Sequence, residues 1–202
     1  MIKLAVTGNL GTGKTTVCKI FERLGVPVYY ADLEAKRLMQ ESEGLKKQIQ
    51  STFGADTYEN GILQAKILAA IVFRDEEALK QLNALVHPVV NEDMKQWFHD
   101  QKKQNYSVAI EEAALTFEAD HQDDFDKIIT VVAPLQRILE RAMKRDRVTK
   151  EDVTARLRKQ MPQMDKALRS DGIILNDEYH SLIFQVYNLI KRWDLEIDLP
   201  KT

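Results

Sequence analysis

One short segment constrains the fold of this chain more than any other. Residues 8–15 read GNLGTGKT and match the pattern G-x-x-x-x-G-K-S/T at every fixed position. Glycines at this spacing let the backbone wrap around a small anion, so that successive N–H groups point at its oxygens. An apolar stretch at residues 2–6 precedes the segment and amphipathic sequence at 14–24 follows it. The order predicts a strand, a phosphate-binding loop and a helix whose N-terminal dipole favours the anion.

The residues of this loop have distinct expected tasks. Lys14 is expected to bridge the β- and γ-phosphates of a nucleotide, and the Thr15 hydroxyl to hold Mg²⁺. A dinucleotide-binding pattern is not met, because Thr16 stands where G-x-G-x-x-G needs its third glycine. The predicted phosphate site as a whole comprises Gly8, Gly11, Thr12, Gly13, Lys14, Thr15 and Thr16.

Apolar, partly β-branched stretches predict four further strands, at residues 26–30, 107–110, 127–132 and 173–175. The opening strand–turn–helix–strand order is a βαβ unit, which predicts a parallel sheet. Roughly seventy residues separate the second and third strands, whereas a crossover needs only about a dozen. Helices are expected to fill this interval, with a new helix starting at His87-Pro88, and also to occupy residues 135–145, 150–160 and 178–193.

The expected fold is therefore a single α/β unit over residues 1–202, of the three-layer P-loop NTPase type. Residues 1–32 and 105–202 are expected to build the core around a five-stranded parallel sheet. Residues from about 33 to 104 form an inserted helical subdomain that binds the acceptor, and residues from about 137 to 162 form a helical lid.

Charge and cysteine content exclude some classes of function. Twenty-nine basic residues face thirty-one acidic ones, so no global positive field recruits nucleic acid. The single cysteine, Cys18, cannot form an internal disulfide and fits a reducing compartment. The first apolar run is too short for a signal sequence or a membrane span. We expect a cytoplasmic monomer or weak homo-oligomer with a small-molecule substrate and neither nucleic-acid nor membrane partners.

Kinases and GTPases share this kind of loop, and two further segments distinguish them. GTPases also need D-x-x-G, which does not occur here, and N/T-K-x-D, which residues 149–152 match formally as TKED. However, this match lies where a helix is expected to start. Thr149 and Asp152 suit a capping box, and Val148 and Val153 suit its hydrophobic staple, so capping is the preferred interpretation.

Carboxylates follow two predicted strands at the sheet edge where open α/β folds bind ligands. Asp32 ends the second strand and is expected to orient or deprotonate the hydroxyl of an acceptor. It also suits capping of the following helix, and the two roles are compatible. Glu111 and Glu112 end the third strand, and Glu112 is favoured to contact the acceptor or a magnesium-bound water.

A basic helix provides the remaining candidate. Arg137, Arg141, Lys144 and Arg145 fall on one side of it by helical spacing. Most of these are expected to form a solvated face, whereas Arg141 is favoured to neutralise charge during phosphoryl transfer. A helix pair carrying such an arginine can close as a lid and exclude water. His87 is more simply explained as a structural residue.

Together these segments resemble the dephospho-coenzyme A kinase family over nearly the whole chain. The family's T-G-G-I-G-S-G-K-S-T appears as TGNLGTGKTT, and its D-A-D is retained as YAD. The matching segments are Thr7–Thr16, Tyr30–Asp32, the L-N-x-x-x-H-P of Leu82–Pro88, the R-x-x-x-R-D of Arg141–Asp146, the V-T-x-E/D of Val148–Glu151, Gln160 after the lid, and Asn176.

The resemblance implies ATP and Mg²⁺ as cofactors and the 3′-hydroxyl of dephospho-coenzyme A as acceptor. It further implies that Asp32 is the candidate base and that Asn176 lies near the adenine. With Asp32, His87 and Glu112 complete the set of residues expected to bind the acceptor. Ala65, Ala114 and Leu175 depart from the family pattern. Two alternatives stay open: another small P-loop kinase acting on a nucleoside monophosphate or other metabolite, and a nucleotide-dependent binding switch.

Overall fold

The computed structural model describes residues 1–197, except the side chains of residues 73 and 74. Residues 198–202, the end of the predicted core segment, lie outside the described residues. The strands are β1 (Ile2–Thr7), β2 (Val28–Tyr30), β3 (Tyr58–Glu59), β4 (Ile62–Leu63), β5 (Val108–Glu112), β6 (Lys127–Val132) and β7 (Gly172–Leu175). The α-helices are α1 (Lys14–Arg23), α2 (Ala31–Glu41), α3 (Glu43–Phe53), α4 (Ala65–Arg74), α5 (Glu76–Lys103), α6 (Leu135–Asp146), α7 (Lys150–Arg158), α8 (Gln163–Arg169) and α9 (Leu182–Arg192).

Five strands form one sheet in the order β2-β5-β1-β6-β7, which confirms the predicted five-stranded parallel sheet. The central strand β1 is parallel to both neighbours, with Val6 opposite Glu112 on one side and Thr7 opposite Thr130 on the other. The carboxyl ends of these strands therefore lie at one edge. Leu4, Ala5 and Val6 are fully buried, as expected for a strand covered on both faces.

The chain separates into two compact units. One comprises Met1–Tyr29 with the chain from Asp100 onward, and the other comprises Tyr30–His99. The second unit has its own hydrophobic core, in which Leu45 and Ile49 are almost completely buried. An insertion with its own core can fold as a unit rather than only cover the sheet.

The second unit contains a β-hairpin that the sequence interpretation missed. Strands β3 and β4 pair antiparallel, with Tyr58 opposite Leu63. Asn60 and Gly61 both have positive φ angles, 51° and 77°, as a two-residue hairpin turn of the Asn-Gly type requires. The strands are only two residues long, so they show no alternation that would identify them.

The prediction of a new helix at His87-Pro88 was wrong, because α5 continues through Pro88. A proline inside a helix removes one hydrogen bond of the backbone. Buried side chains lie on both sides of it, Val86 before and Met94 and Phe98 after. Their packing offsets the loss, so the helix does not break.

Three other elements differ from expectation. Strand β5 extends to Glu112, and the short helix α8 was not predicted. The last helix begins at Leu182 rather than at residue 178, because Ser181 caps it by accepting from Phe184 N. The preceding residues form a turn in which Asp177 Oδ1 accepts from the N–H groups of Tyr179 and His180. These hydrogen bonds hold the pKa of Asp177 at about 2.

Candidate active site

The phosphate-binding loop is stabilised by its own backbone. The Asn9 carbonyl accepts from Thr12 Oγ1 at 2.9 Å and from Thr12 N at 3.3 Å. Lys14 Nζ lies 3.4 Å from the same oxygen, and the lysine is only 8% exposed. Three donors therefore converge on one carbonyl, which preserves the loop's shape without a ligand. Gly8 joins the loop to β1, and Thr16 N bonds back to the Gly13 carbonyl in the first turn of α1.

Two glycines permit close approach of other elements to the loop. Gly13 has φ 96°, and a Cβ there would lie 2.1 Å from Asn176 Nδ2. Gly11 has φ 76°, and a Cβ there would lie 2.8 Å from the Ile138 carbonyl of α6. Any side chain at either position would clash and strain the backbone. The loop is thus packed against both the segment after β7 and helix α6.

Asn176 and Arg141 lie together beside the loop. Asn176 directly follows β7, and its Nδ2 donates to the Thr12 carbonyl at 2.8 Å. Arg141 Nη2 lies 3.3 Å from Asn176 Oδ1 and 3.3 Å from Glu178 Oε1. Arg137 also pairs with Glu178, at 3.0 Å. The arginine favoured from sequence therefore reaches the loop through one asparagine.

Other basic residues of α6 and α7 have different partners. Asp146 forms ion pairs with Arg145 at 2.7 Å and with Arg156 at 3.1 Å, which joins the end of α6 to α7. Hydrogen bonding from Arg145 is the largest influence lowering the pKa of Asp146. The predicted capping box is confirmed, since Thr149 and Asp152 bond each other's backbone N–H groups at the start of α7. These contacts give Arg145 and Arg156 a structural role.

The Thr15 hydroxyl donates to Glu112 Oε2 at 2.9 Å. Magnesium prefers oxygen ligands and usually keeps several waters, so a hydroxyl next to a carboxylate suits it. Within residues 1–197, no three His, Cys, Asp or Glu side chains cluster as ligands of a metal ion. An ion here would therefore depend on phosphate oxygens and water for its other ligands.

Cys18 lies near Glu112. The pKa of its thiol is raised, mainly by burial and to a smaller extent by the negative charge of Glu112.

Asp32 and His87 belong to the unit Tyr30–His99. Asp32 is exposed in the first turn of α2, and its side chain has no hydrogen bond or ion pair within the described part of the chain. It does not cap the helix, because the N-cap position is Tyr30 and has no side-chain capping bond. His87 is half-buried in the middle of α5. The catalytic role of Asp32 and the acceptor-site role of His87 stay predictions.

Sequence reasoning missed a second set of contacts around the loop. Leu10 N donates to Gln160 Oε1 at 2.9 Å, and Asn9 Nδ2 donates to the Met161 carbonyl at 3.0 Å. Both partners lie just beyond α7, some 150 residues later in the chain. The only signal in the sequence was the match of Gln160 to a family position.

These features define a class of protein. A parallel sheet carries a complete phosphate-binding loop at a helix N-terminus, with a lysine, a threonine next to a carboxylate, and an arginine on the neighbouring helix α6, as in P-loop kinases. A sequence model of the family described as dephospho-CoA kinase matches residues 2–181. The chain therefore belongs to the dephospho-CoA kinase family, which confirms the resemblance seen in the motifs.

Individual relatives agree with this assignment. The dephospho-CoA kinase of Bacteroides fragilis (strain YCH46) is 33% identical over 189 residues, covering 94% of this chain and 91% of the relative. That of Salinibacter ruber is 39% identical over 178 residues, covering 88% and 89%. The structure of dephospho-CoA kinase from Campylobacter jejuni is similar with a TM-score of 0.70 and 27% identity, covering 95% of this chain and 96% of that one. In the described residues no helix is long and apolar enough to cross a membrane.

Proposed function

We propose that this protein transfers the γ-phosphoryl group of ATP to the 3′-hydroxyl of dephospho-coenzyme A. The products are ADP and coenzyme A, and the reaction is the last step of coenzyme A synthesis. The observation that carries the proposal is the joining of Arg141 and the phosphate-binding loop through Asn176, in a chain of this family.

The residues divide the chemical work. Lys14 and the N–H groups at the start of α1 hold the phosphates. The first turn of this helix suits an anion, because it contains no acidic residue that would repel the phosphates and no side-chain cap that would occupy the N–H groups. Arg141 offsets the negative charge that spreads over the transferred group. Asn176 lies near the adenine and keeps Arg141 in place. Asp32 accepts or orients the hydroxyl proton of the acceptor, for which its exposed carboxylate is available.

Mg²⁺ is the second cofactor of the proposed reaction. Thr15 and Glu112 are the residues that would hold it, the hydroxyl directly and the carboxylate directly or through water. A bound magnesium ion supplies positive charge to the phosphate oxygens. The acceptor is a small molecule, and the inserted unit with His87 contributes to its binding. The protein acts in the cytoplasm as a monomer or weak homo-oligomer, without nucleic-acid or membrane partners.

The proposal is tested by incubating the purified protein with ATP, magnesium and dephospho-coenzyme A while following ADP and coenzyme A together. Equal amounts of both products are expected, and neither in a Lys14→Ala variant. Formation of ADP without coenzyme A would support the ATP site but contradict this acceptor. Nucleosides and nucleotides would then be tested as acceptors. Absence of both products would contradict the kinase reaction and favour a nucleotide-dependent binding switch.

A further inference from the structure

The end of the lid is attached to the phosphate-binding loop by two side chains. Gln160 accepts from Leu10 N, and Asn9, only 5% exposed, donates to the Met161 carbonyl. Both hydrogen bonds have good length, 2.9 Å and 3.0 Å. The Leu10 N–H is therefore bonded within the protein, and the Asn9–Leu10 backbone is fixed from outside the loop.

A carboxylate also bonds the backbone of Met161. Glu118, in the segment after β5, accepts from Met161 N at 2.8 Å. Lys166 of α8 forms an ion pair with the same Glu118 oxygen at 2.8 Å and donates to the Ala114 carbonyl at 2.5 Å. Lys166 is fully buried. A buried charge is tolerated only when it is paired and hydrogen-bonded, so this pair fixes the segment after β5 relative to Met161.

The start of the lid, just before α6, is hydrogen-bonded to a residue close to Met161. Gln163, two residues beyond Met161, accepts from Ala133 N and donates to the Ala133 carbonyl, both at 3.1 Å. Ala133 immediately precedes Pro134, the N-cap residue of α6. The two ends of the helical lid are thus joined to each other by hydrogen bonds between Ala133 and Gln163, close to Met161.

We propose that Gln160 and Glu118 are positioning residues of this site, which hold the first turn of the phosphate-binding loop through Leu10 and Met161. The inference rests on the proposed function, because its consequence is ATP affinity. Neither residue needs to touch a ligand: Gln160 acts through the backbone at Leu10, and Glu118, paired with Lys166, acts through the backbone at Met161. Loss of either contact leaves the loop amides less well ordered for phosphate.

The experiment compares direct ATP binding by titration in wild type and in Gln160→Met, Glu118→Leu, the double variant and Gln40→Met. Gln40 is the matched control, since its Oε1 accepts from Leu63 N at 2.9 Å, as Gln160 does from Leu10, but within the unit Tyr30–His99. We expect each of the first two changes to raise the Kd for ATP several-fold, up to about tenfold, the range that loss of one hydrogen bond gives. In the double variant the factor by which Kd for ATP rises should be smaller than the product of the two single factors, because both residues hold the same part of the backbone.

The control separates positioning from stability. Gln40→Met is expected to lower the thermal midpoint by an amount similar to that of Gln160→Met, and to leave the Kd for ATP within about twofold of wild type. Equal losses of ATP affinity in Gln40→Met and Gln160→Met would overturn the inference. A wild-type Kd for ATP in Gln160→Met would also overturn it. The same holds if the rise in Kd of the double variant equals the product of the two single rises.

A second measurement needs only the wild-type protein, so it can be made even if a variant does not fold. In the wild-type protein the Leu10 amide should exchange with solvent hydrogen more slowly than the Gly11 amide next to it. Equal exchange at Leu10 and Gly11 would show that Gln160 does not hold the loop. Failure of wild type to bind ATP would overturn the proposed function together with this inference, whereas unchanged ATP binding in Gln160→Met would overturn the inference alone.

Discussion

Arg141 Nη2 lies 3.3 Å from Asn176 Oδ1, while Nδ2 of the same asparagine donates to the Thr12 carbonyl at 2.8 Å. One amide thus connects Arg141 of α6 to the backbone of the phosphate-binding loop. Asn176 is itself fixed by the sheet, since its N–H donates to the Val132 carbonyl at 2.8 Å. The position of Arg141 therefore depends on the end of β7 as well as on α6.

Asn176→Leu is expected to raise KM for ATP about tenfold and to lower kcat, because the buried Thr12 carbonyl loses its donor and Arg141 loses an acceptor. Asn176→Asp keeps an oxygen for Arg141 but replaces the donor to Thr12 with a carboxylate oxygen that repels the Thr12 carbonyl, so KM for ATP should rise in this variant too. Steady-state kinetics with varied ATP measures both constants. Wild-type constants in Asn176→Leu would contradict the role given to this residue.

The phosphate-binding loop and the parallel sheet could be predicted because their signals are local. The pattern GNLGTGKT and each apolar run span only a few residues, and the central strand β1 is covered on both faces. The capping box at Thr149 and Asp152 was equally local and was confirmed. Such elements are determined mainly by neighbouring residues, so the sequence shows them directly.

The contacts that fix the loop could not be predicted in the same way. Gln160 bonds Leu10 across 150 residues, and Lys166 bonds Ala114 across 52. Glutamine and lysine are common on exposed helix surfaces, and nothing in their neighbours indicates a buried partner. Helix α8 has only seven residues, too few for a periodic apolar pattern. Tertiary packing determines these features, and only the structure shows them.

Glu112→Gln is expected to raise the magnesium concentration for half-maximal activity by about tenfold, because outer partners of a metal ligand influence its affinity. Thr15→Val should have at least as large an effect, since it removes the hydroxyl that bonds Glu112. Thr15→Ser keeps the hydroxyl and serves as the matched control. Activity of each variant is measured over a magnesium titration at saturating ATP. An unchanged midpoint in Glu112→Gln would remove this residue from the magnesium site.

Asp32→Asn is expected to lower kcat by a factor of about 10² or more, with little change in KM for ATP, if the carboxylate accepts the proton of the hydroxyl. Asp75→Asn is the matched control, since Asp75 also lies at the start of a helix in the same unit, where it accepts from Glu77 N. That change keeps an oxygen that can accept from Glu77 N, and it should leave both turnover and thermal stability near the wild-type values. Near-normal turnover in Asp32→Asn would remove the catalytic assignment of Asp32, since loose transition states need little help from a base.

The buried Lys166 predicts how stability responds to alkaline pH. Burial lowers its pKa below the usual 10.5, and Glu118 opposes part of that shift. Between the lowered pKa of the folded protein and the ordinary pKa of the unfolded chain, the unfolded chain binds more protons. The free energy of unfolding contributed by this group therefore rises with pH through that window.

In Lys166→Met this rise should be absent, so the unfolding free energy of wild type should increase relative to that of the variant as pH increases. Glu118→Gln removes the opposing charge, which lowers the pKa of Lys166 further and extends the rise to lower pH. Lys80→Met, which removes a lysine with a 75% exposed side chain and leaves Lys166 in place, is the control and should keep the wild-type slope. Denaturant unfolding at a series of pH values from neutral to about 10 measures all four proteins within the range where an ordinary lysine begins to titrate. Parallel curves for wild type and Lys166→Met over that range would show that Lys166 is not buried as a charged group.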